Sequence, residues 1–487
     1  DLVVVKVQYL QNNTLSLLSP RTFSGLEQLV ILNLSRNHLS SDGITHDTFA
    51  DLIRLVILDL SRNQLRQVHK KSIGITHDTF ADLIRLVILD LSRNQLRQVN
   101  GSTFQSQYSL QILHLEHNLI ENVDDNAFSS LYNLHTLMLS DNRLSHLSVF
   151  TLNGLYVLIN LALDHNRLEN IHLDGFRNCS SLQDLQLSSN RLSSIPDALQ
   201  YLHYLISLDL SDNRIASVSN ATLSGMPNLH ILRLAGNRIG NMTKGTFQSL
   251  HSLRRLDLSN NQIANLEHGI FDDASALNVI LLNDNLLEDI NGLFMNLAHL
   301  RLLNVSSNSI AWFDYALVPR QLKHLDIHQN DIEALGNYYE LEDKMHLKIL
   351  DASSNHIREI NAGSFPNQVE MINLSNNRIS IIHPFTFMIK HNLTKVNLTQ
   401  NRLQNLDINA FRLKPTKSAL PEFWIAENIY FCDCSMEWLQ RINSLDGQYP
   451  QVMDLAKVVC QMPFGRRRPR LLLSEANSSD FLCKYKS

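Results

Sequence analysis

One spacing of leucine and asparagine recurs along most of the chain, with a period of about 24 residues. The unit is L-x-x-L-x-L-x-x-N-x-L, and one clear copy consists of Leu134, Leu137, Leu139, Asn142 and Leu144. Such internal repetition indicates a fold built from similar units stacked in a row. The asparagine of the unit recurs at Asn37, Asn63, Asn94, Asn118, Asn142, Asn166, Asn190, Asn213, Asn237, Asn261, Asn285, Asn308, Asn330, Asn355, Asn377 and Asn401.

Each copy predicts a short strand followed by a bend. Alternate side chains of the L-x-L segment face opposite sides, so the leucines point inward and the intervening residues point outward on a parallel sheet. One turn cannot bury its own leucines, but neighbouring turns bury them by stacking. We therefore predict an α/β fold, a leucine-rich-repeat horseshoe solenoid of about 17 repeats over residues 1–418, with the parallel sheet on its concave face.

The repeated asparagine is predicted to hold the bend of each turn. Its amide has two N–H donors and one acceptor, so it can bond the backbone of its own bend and of the adjacent turn. An apolar residue there would leave backbone groups unpaired, at about 1–3 kcal/mol each. A second recurring position is expected to fill the wider convex side with Phe23, Phe49, Phe80, Phe104, Phe128, Phe176, Leu199, Leu223, Phe247, Phe271, Leu317, Phe365, Phe387 and Phe411.

Residues 43–68 and 74–99 are the same string of 26 residues, although the other repeats share only their framework. Identity this complete indicates a very recent duplication, an engineered insertion or an assembly artefact. We assign no function to the segment.

Four of the five cysteines lie near the C-terminus, at Cys432, Cys434, Cys460 and Cys483. Four cysteines allow three disulfide pairings. A zinc site is the alternative, but C-x-C with widely spread partners is poor zinc spacing. We predict a cysteine-rich cap over residues 419–487, which would cover the last leucines and imply an oxidising compartment. The remaining Cys179 is expected to be a small buried residue.

No matching cysteine cap precedes the first repeat, and no secretory leader opens the chain. No apolar run approaches the roughly 20 residues of a membrane helix. We therefore interpret the sequence as a fragment of a longer protein. A basic run at 466–470 is interpreted as a solvated loop, with a partner-docking or protease-sensitive patch as the alternative.

Sequons for N-linked glycans favour a secreted glycoprotein. Those at Asn33, Asn304, Asn373 and Asn397 occupy the x of L-x-L, where a glycan would obstruct the concave sheet. The sites expected to be modified are Asn12, Asn100, Asn178, Asn220, Asn241, Asn304, Asn392 and Asn477. The open concave region is expected from about His114 to Leu281, with candidate ligand-binding residues His114, Met138, Gln186, Asp209, Arg233 and Asp257.

The sequence favours a binding protein over an enzyme. It contains no H-E-x-x-H, G-x-S-x-G, G-x-x-x-x-G-K or C-x-x-C motif, and its 21 histidines show no ligand spacing. An open solenoid also lacks the water-excluding pocket that most catalysis needs. We expect no cofactor and no metal, and the net charge of −5 disfavours a nucleic-acid partner.

Residues 428–434, followed by Trp438 and Leu439, resemble the C-terminal cap of leucine-rich-repeat proteins. In that family the first cysteine pairs with the third and the second with the fourth. The resemblance therefore implies disulfides Cys432–Cys460 and Cys434–Cys483.

Residues 39–43, 48–55, 131–137, 153–158 and 423–439 resemble the ectodomain of insect Toll receptors, especially the longer members. The resemblance implies a plasma-membrane receptor whose extracellular part binds a protein ligand, a cystine-knot cytokine of the Spätzle type, for immune or developmental signalling. It also allows a receptor dimer.

Two other functions remain open. The long Toll receptors also suggest an adhesion module that binds itself or another cell-surface protein. A structural matrix protein of the small proteoglycan kind fits the solenoid but not this cap. The 26-residue duplication departs from the Toll pattern.

Overall fold

The computed structural model describes residues 5–66, 79–414, 419–433, 436–445, 447–461 and 470–476. The chain divides into two compact units. The first comprises Asp1–Ile239 with Gly245–Leu253, and the second comprises Gly240–Lys244 with Arg254–Ser487. Each unit is a stack of turns whose repeat strands lie parallel, so the leucine-rich-repeat solenoid is confirmed in both. The boundary of the cap at residue 419 stays a prediction.

The described part of the first unit has ten strands in one parallel sheet, each paired with the strand of the next turn. They are Val7–Tyr9, Ile31–Asn33, Ile57–Asp59, Ile88–Asp90, Ile112–His114, Thr136–Met138, Asn160–Ala162, Asp184–Gln186, Ser207–Asp209 and Ile231–Arg233.

The described part of the second unit has nine such strands, again paired in order. They are Arg255–Asp257, Val279–Leu281, Leu302–Asn304, His324–Asp326, Ile349–Asp351, Met371–Asn373, Lys395–Asn397, Glu422–Trp424 and Gln451–Val452.

The connections between these strands are mostly turns. Two-residue strands pair in parallel within them: Gln98–Val99 with Asn122–Val123, His146–Leu147 with Asn170–Ile171, Phe313–Asp314 with Leu335–Gly336, and Glu359–Ile360 with Ile381–Ile382. The described α-helices are Asn220–Leu223 and Glu437–Gln440. The described 3₁₀ turns are Ser41–Gly43, His46–Thr48, Asp197–Tyr201, Tyr315–Leu317, Ala362–Ser364, Ile408–Phe411, Ile442–Ser444, Leu455–Lys457 and Leu473–Glu475. None of the helices in these residues is long and apolar enough to cross a membrane.

The middle residue of each repeat strand from Ile31–Asn33 to Glu422–Trp424 is buried, as the alternation of the sequence predicts, whereas Gln8 in the first strand is only half-buried. Leu137 and Leu185 are fully buried between neighbouring turns. On the opposite side of the core, phenylalanines of successive turns stack, with ring centroids 6.2 Å apart for Phe23 and Phe49 and 6.5 Å apart for Phe49 and Phe80. Phe294, which the sequence pattern did not pick out, joins this series by stacking on Phe271.

The predicted role of the repeated asparagine is confirmed by its hydrogen bonds. Asn142 donates through Nδ2 to the carbonyls of Leu139 and Ser140 in its own bend and to that of Leu115 in the preceding turn, at 3.0–3.2 Å. Its Oδ1 accepts from the backbone N–H of Ile120 at 2.9 Å. One buried amide therefore joins two turns. The same set of bonds is present at Asn37, Asn63, Asn94, Asn118, Asn166, Asn190, Asn213, Asn237, Asn285, Asn308, Asn330, Asn355, Asn377, Asn401 and Asn428.

The residue before each of these asparagines adopts a left-handed backbone conformation. Its φ is 53° at Asp141, 53° at His165 and 52° at Ser189. A non-glycine residue in this conformation costs about 1–2 kcal/mol. The asparagine bonds on either side of the bend offset that strain, so the bend depends on the asparagine.

Both copies of the duplicated string form ordinary turns where the structure describes them. Ile57–Asp59 pairs in register with Ile88–Asp90, and Phe49 stacks on Phe80. Residues 69–73, which separate the two copies, lie outside the described residues.

The last described turns are closed by polar and covalent links. The Asp454 carboxylate accepts hydrogen bonds from the N–H groups of Ile425 and Ala426 at 2.8–3.0 Å. These bonds end the series of hydrogen bonds between successive turns. Cys432 and Cys460 form a disulfide with a Cα–Cα distance of 5.3 Å, the pairing that the cap resemblance implies. Cys434 and Cys483 lie outside the described residues.

The fifth cysteine lies in the first unit. Cys179 is fully buried, and burial raises the pKa of its thiol to about 12. It therefore stays protonated at neutral pH and packs as a small apolar group.

We predict that Asn166→Leu destabilises the first unit by at least about 2 kcal/mol, because it leaves carbonyls of two turns and the N–H of Leu144 without their side-chain partner. The urea midpoint followed by circular dichroism measures the effect. Arg167→Ala, at the exposed neighbouring position, is the control and should change the midpoint little. Equal midpoints for both variants would contradict the role given to the amide.

We also predict that Cys434 pairs with Cys483. Proteolysis without reduction, followed by mass spectrometry, should yield one peptide pair linked through Cys432–Cys460 and a second linked through Cys434–Cys483. Free thiols at the second pair, or a crossed pairing, would refute the cap pattern that the resemblance implies.

Candidate functional site

The outward first and third residues of the repeat strands form a surface in each unit, which we call the strand face. Five of the six candidate residues lie on the strand face of the first unit, and every one occupies the third strand position. Strand register places Asp209 opposite Arg233 and Gln186 opposite Asp209. His114 and Met138 are opposite each other further along the same row. Asp257 occupies the equivalent position in the second unit.

The residues predicted from the sequence make up only half of this surface. The first residue of each strand also points outward and is partly exposed, as at Ile112, Thr136 and Asp184. The signal was available, because alternation places outward residues on both sides of the buried leucine. The missed members between the candidates are Ile112, Thr136, Asn160, Asp184, Ser207 and Ile231.

One end of the row carries a cluster of titratable groups. Asp59 lies opposite Asp90, and Asp90 lies opposite His114. His114 Nδ1 is 3.2 Å from Glu116 Oε1. The hydrogen bond that the protonated ring of His114 donates to Glu116 raises the pKa of His114, and the charges of Glu116, Asp90 and Asp59 add to this effect. Burial raises the pKa of Asp90, although its bonds from Ser92 oppose the change.

The middle of the row has little charge. Met138 is half-buried, and Ala162 beside it is only 5% exposed. Asn160 donates a long hydrogen bond of 3.4 Å to Thr136 Oγ1. This stretch offers a low apolar surface that a protein partner could cover without meeting an unpaired charge.

The other end of the row carries opposite charges. Gln186 is exposed and donates to Asp184 at 3.3 Å. Arg233 Nη1 is 3.9 Å from Asp209 Oδ2, and the side chain of Arg233 is 37% exposed. The Asp209 carboxylate is also held by the N–H of Ser211 at 2.9 Å. The guanidinium therefore has donors left for an acidic group on a partner.

The sequons divide as expected between the strand face and other surfaces. Asn33, Asn304, Asn373 and Asn397 each end a repeat strand. Asn12, Asn100, Asn178, Asn220, Asn241 and Asn392 lie outside the repeat strands and are exposed or partly exposed. Asn477 lies outside the described residues. Whether any of these asparagines is modified stays a prediction.

Three potential metal-ligating side chains meet on the strand face of the second unit. Ligand atoms of Asp326, His328 and Asp351 lie within 4.8 Å of one another. His328 Nδ1 already contacts Asp326 Oδ1 at 2.7 Å, and Asp351 accepts from Ser353 at 2.6–3.0 Å. These bonds explain the positions of the three groups without a metal.

Residues 2–39, 73–120, 108–158, 157–215, 203–263, 252–310 and 345–403 match the leucine-rich-repeat family. The chain belongs to that family. The match covers turns in both compact units and agrees with the asparagine and leucine ladders described above.

This leucine-rich-repeat chain is 44% identical over 298 residues to Toll-like receptor 7 of Drosophila melanogaster, which confirms the resemblance to Toll receptors. The matched region is 61% of the chain and 21% of the relative, so the chain spans about a fifth of that receptor.

Two solved structures share its fold. One is the Toll–Spatzle complex of Drosophila, with a TM-score of 0.65 and 16% identity, covering 98% of this chain and 77% of the other. The second is a leucine-rich-repeat protein of Leptospira interrogans, with a TM-score of 0.63 and 23% identity, covering 82% of this chain and 90% of the other. At these identities both comparisons show the fold alone.

We predict that His114 titrates above the ordinary 6.5 and that Glu116→Gln lowers its pKa, because Glu116 is the main cause of the shift. Since the folded pKa is raised, the stabilisation from protonated His114 is fully present below pH 6.5 and is lost as pH rises through the folded pKa. Ring-proton NMR of labelled histidine, assigned with His114→Gln, measures the titration. An unchanged His114 titration in Glu116→Gln would contradict this account.

Proposed function

We propose that the chain is the ligand-binding part of the extracellular domain of a Toll-like receptor, and that it binds a protein ligand rather than catalysing a reaction. The observation that carries this proposal is the 44% identity over 298 residues to a Toll-like receptor. The disulfide between Cys432 and Cys460 supports an oxidising, extracellular compartment.

The proposed contact surface is the part of the first unit's strand face between His114 and Arg233. Its two ends are charged and its middle, at Met138 and Ala162, is low and apolar. This arrangement resembles a protein interface, in which a less charged centre is surrounded by polar groups. No sequon begins at an outward position of these strands, so sugars would leave this row open.

The proposed ligand is a cystine-knot cytokine of the Spätzle type. The shared fold with the Toll–Spatzle complex supports this class, and that complex is described as a hub in Drosophila development and innate immunity. We propose a comparable signalling role for the receptor to which this chain belongs. The partly exposed guanidinium of Arg233 would donate hydrogen bonds to an acidic group of the cytokine.

A second candidate function is adhesion through self-association, and one feature of the first unit favours it. Ile53, Ile84, Tyr108, Tyr132 and Tyr156 are exposed at the same place in five turns. The rings of Tyr108 and Tyr132 stack at 5.7 Å. Exposed apolar side chains that form a continuous patch commonly mark a protein contact.

We predict that Arg233→Glu weakens binding of a cystine-knot cytokine to the purified chain by roughly tenfold or more, because it replaces a donor by a like charge at an acidic contact. Surface plasmon resonance measures the affinity. Arg191→Glu is the matched control, since its exposed ion pair with Glu169 lies off the strand face and is worth little.

Saturable binding that only Arg233→Glu weakens would support the receptor function. Sedimentation of the chain alone tests the alternative function, which is adhesion through self-association. Concentration-dependent self-association that Tyr132→Glu abolishes, together with no binding to any cytokine of this class, would support adhesion and refute the receptor proposal.

A further inference from the structure

The strand face of the second unit contains a hollow of about 400 Å³. Side chains of three successive strands form its floor, at Ile349–Asp351, Met371–Asn373 and Lys395–Asn397, while Trp424 closes one side. The lining is mainly apolar, with Asp351 and Lys395 as its charged groups. Hollows of roughly 300–1,000 Å³ hold small organic groups.

The hollow is lined by a complete sequon, because both Asn397 and Thr399 contribute to its wall. Asn397 Oδ1 accepts the N–H of Thr399 at 3.1 Å and its hydroxyl at 2.9 Å. The amide oxygen is therefore occupied by the bend. Among the described residues, no acceptor is bonded to Nδ2 of Asn397, and Nδ2 is the atom to which an N-linked sugar attaches.

A second sequon asparagine in the hollow differs in this respect. Asn373 also bonds its own bend through Oδ1, but its Nδ2 donates to Asp351 Oδ2 at 2.9 Å. A sugar on Asn373 would compete with that bond. The comparison therefore selects Asn397 as the attachment site.

The indole ring of Trp424 is positioned to pack against the sugar. Strand register places it directly opposite Asn397, one strand spacing away. The face of a pyranose ring carries aligned C–H groups with slight positive charge, and an indole face carries negative charge. Lys395 also lines the hollow, and its ammonium group can donate hydrogen bonds to the hydroxyl and acetamido oxygens of a first sugar.

We propose that Asn397 carries an N-linked glycan whose first N-acetylglucosamine lies in this hollow against Trp424. In the attachment step, Nδ2 forms a bond to sugar C1 of a lipid-diphosphate-linked oligosaccharide. The C1–oxygen bond breaks, the lipid diphosphate leaves with the electron pair, and a base takes the Nδ2 proton. The transfer precedes strand pairing, and the sugar enters the hollow as the chain folds. This inference is independent of the receptor proposal.

The chain supplies a matched control for this proposal. Asn392-Leu393-Thr394 has the same letters as Asn397-Leu398-Thr399, lies five residues earlier in the chain, and has an exposed asparagine. The two sequons therefore differ mainly in their surroundings. Asn392 is not among the residues that line this hollow, so a glycan on Asn392 is attached outside it.

The test uses the full chain secreted from insect cells and digested under native conditions with an amidase that releases N-linked glycans. Mass spectrometry of the peptides follows release at both sites with time. We expect both sites to be occupied and release at Asn397 to be roughly tenfold slower, as aromatic packing of this kind allows. Denaturation before digestion should abolish the difference.

Trp424→Leu should equalise the native release rates, since it keeps an apolar side chain but removes the aromatic face. If that variant fails to fold, Thr399→Val provides the second measurement. It removes the sequon, and we expect the difference in tryptophan fluorescence between wild type and this variant to vanish once wild type is deglycosylated. An unmodified Asn397 beside a modified Asn392, or equal native release rates in wild type, would overturn the proposal.

Discussion

The amide of the repeated asparagine is the interaction on which the rest of the structure depends. At Asn142 a single side chain bonds three carbonyls and one N–H in two successive turns. It stabilises a bend in which Asp141, a non-glycine residue, has a positive φ. Because the amide fixes the offset between turns, the leucines of one turn meet those of the next and exclude water. Without that offset the strands would not pair in register, and the leucines of neighbouring turns would stay exposed to water.

The bend after each strand also restricts which residues can occupy the outward third position of that strand. At the third strand position, an aspartate or asparagine often accepts the N–H of the residue two places later, as Asp209 does from Ser211 and Asn397 does from Thr399. An aspartate in this position gives the face negative charge. An asparagine gives the same bend. When serine or threonine lies two places later, that asparagine also begins a sequon. The same local bend therefore places either a negative charge or a potential glycan-attachment asparagine on the strand face.

The outward residues consequently differ between the two units although their frameworks are alike. In the first unit, His114 and Arg233 bring positive charge next to the carboxylates of Glu116 and Asp209, and no sequon interrupts the strands between them. In the second unit, Asn373 and Asn397 surround an apolar hollow. The differences arise from single outward residues, because the inward positions are committed to the core.

The sequence alone determined the repeat, the buried leucines, the bonding of the asparagine and the third strand position as an outward site, because each of these follows from a periodic pattern of chemical types. Pairing of Cys432 with Cys460 followed only from family resemblance, since spacing left three pairings open. The sequence could not reveal that Glu116 raises the pKa of His114, that Asn373 Nδ2 is engaged while Asn397 Nδ2 is not, or that Trp424 closes a hollow. These depend on which side chains from different turns come within a few ångströms, and strand register in the folded chain decides that.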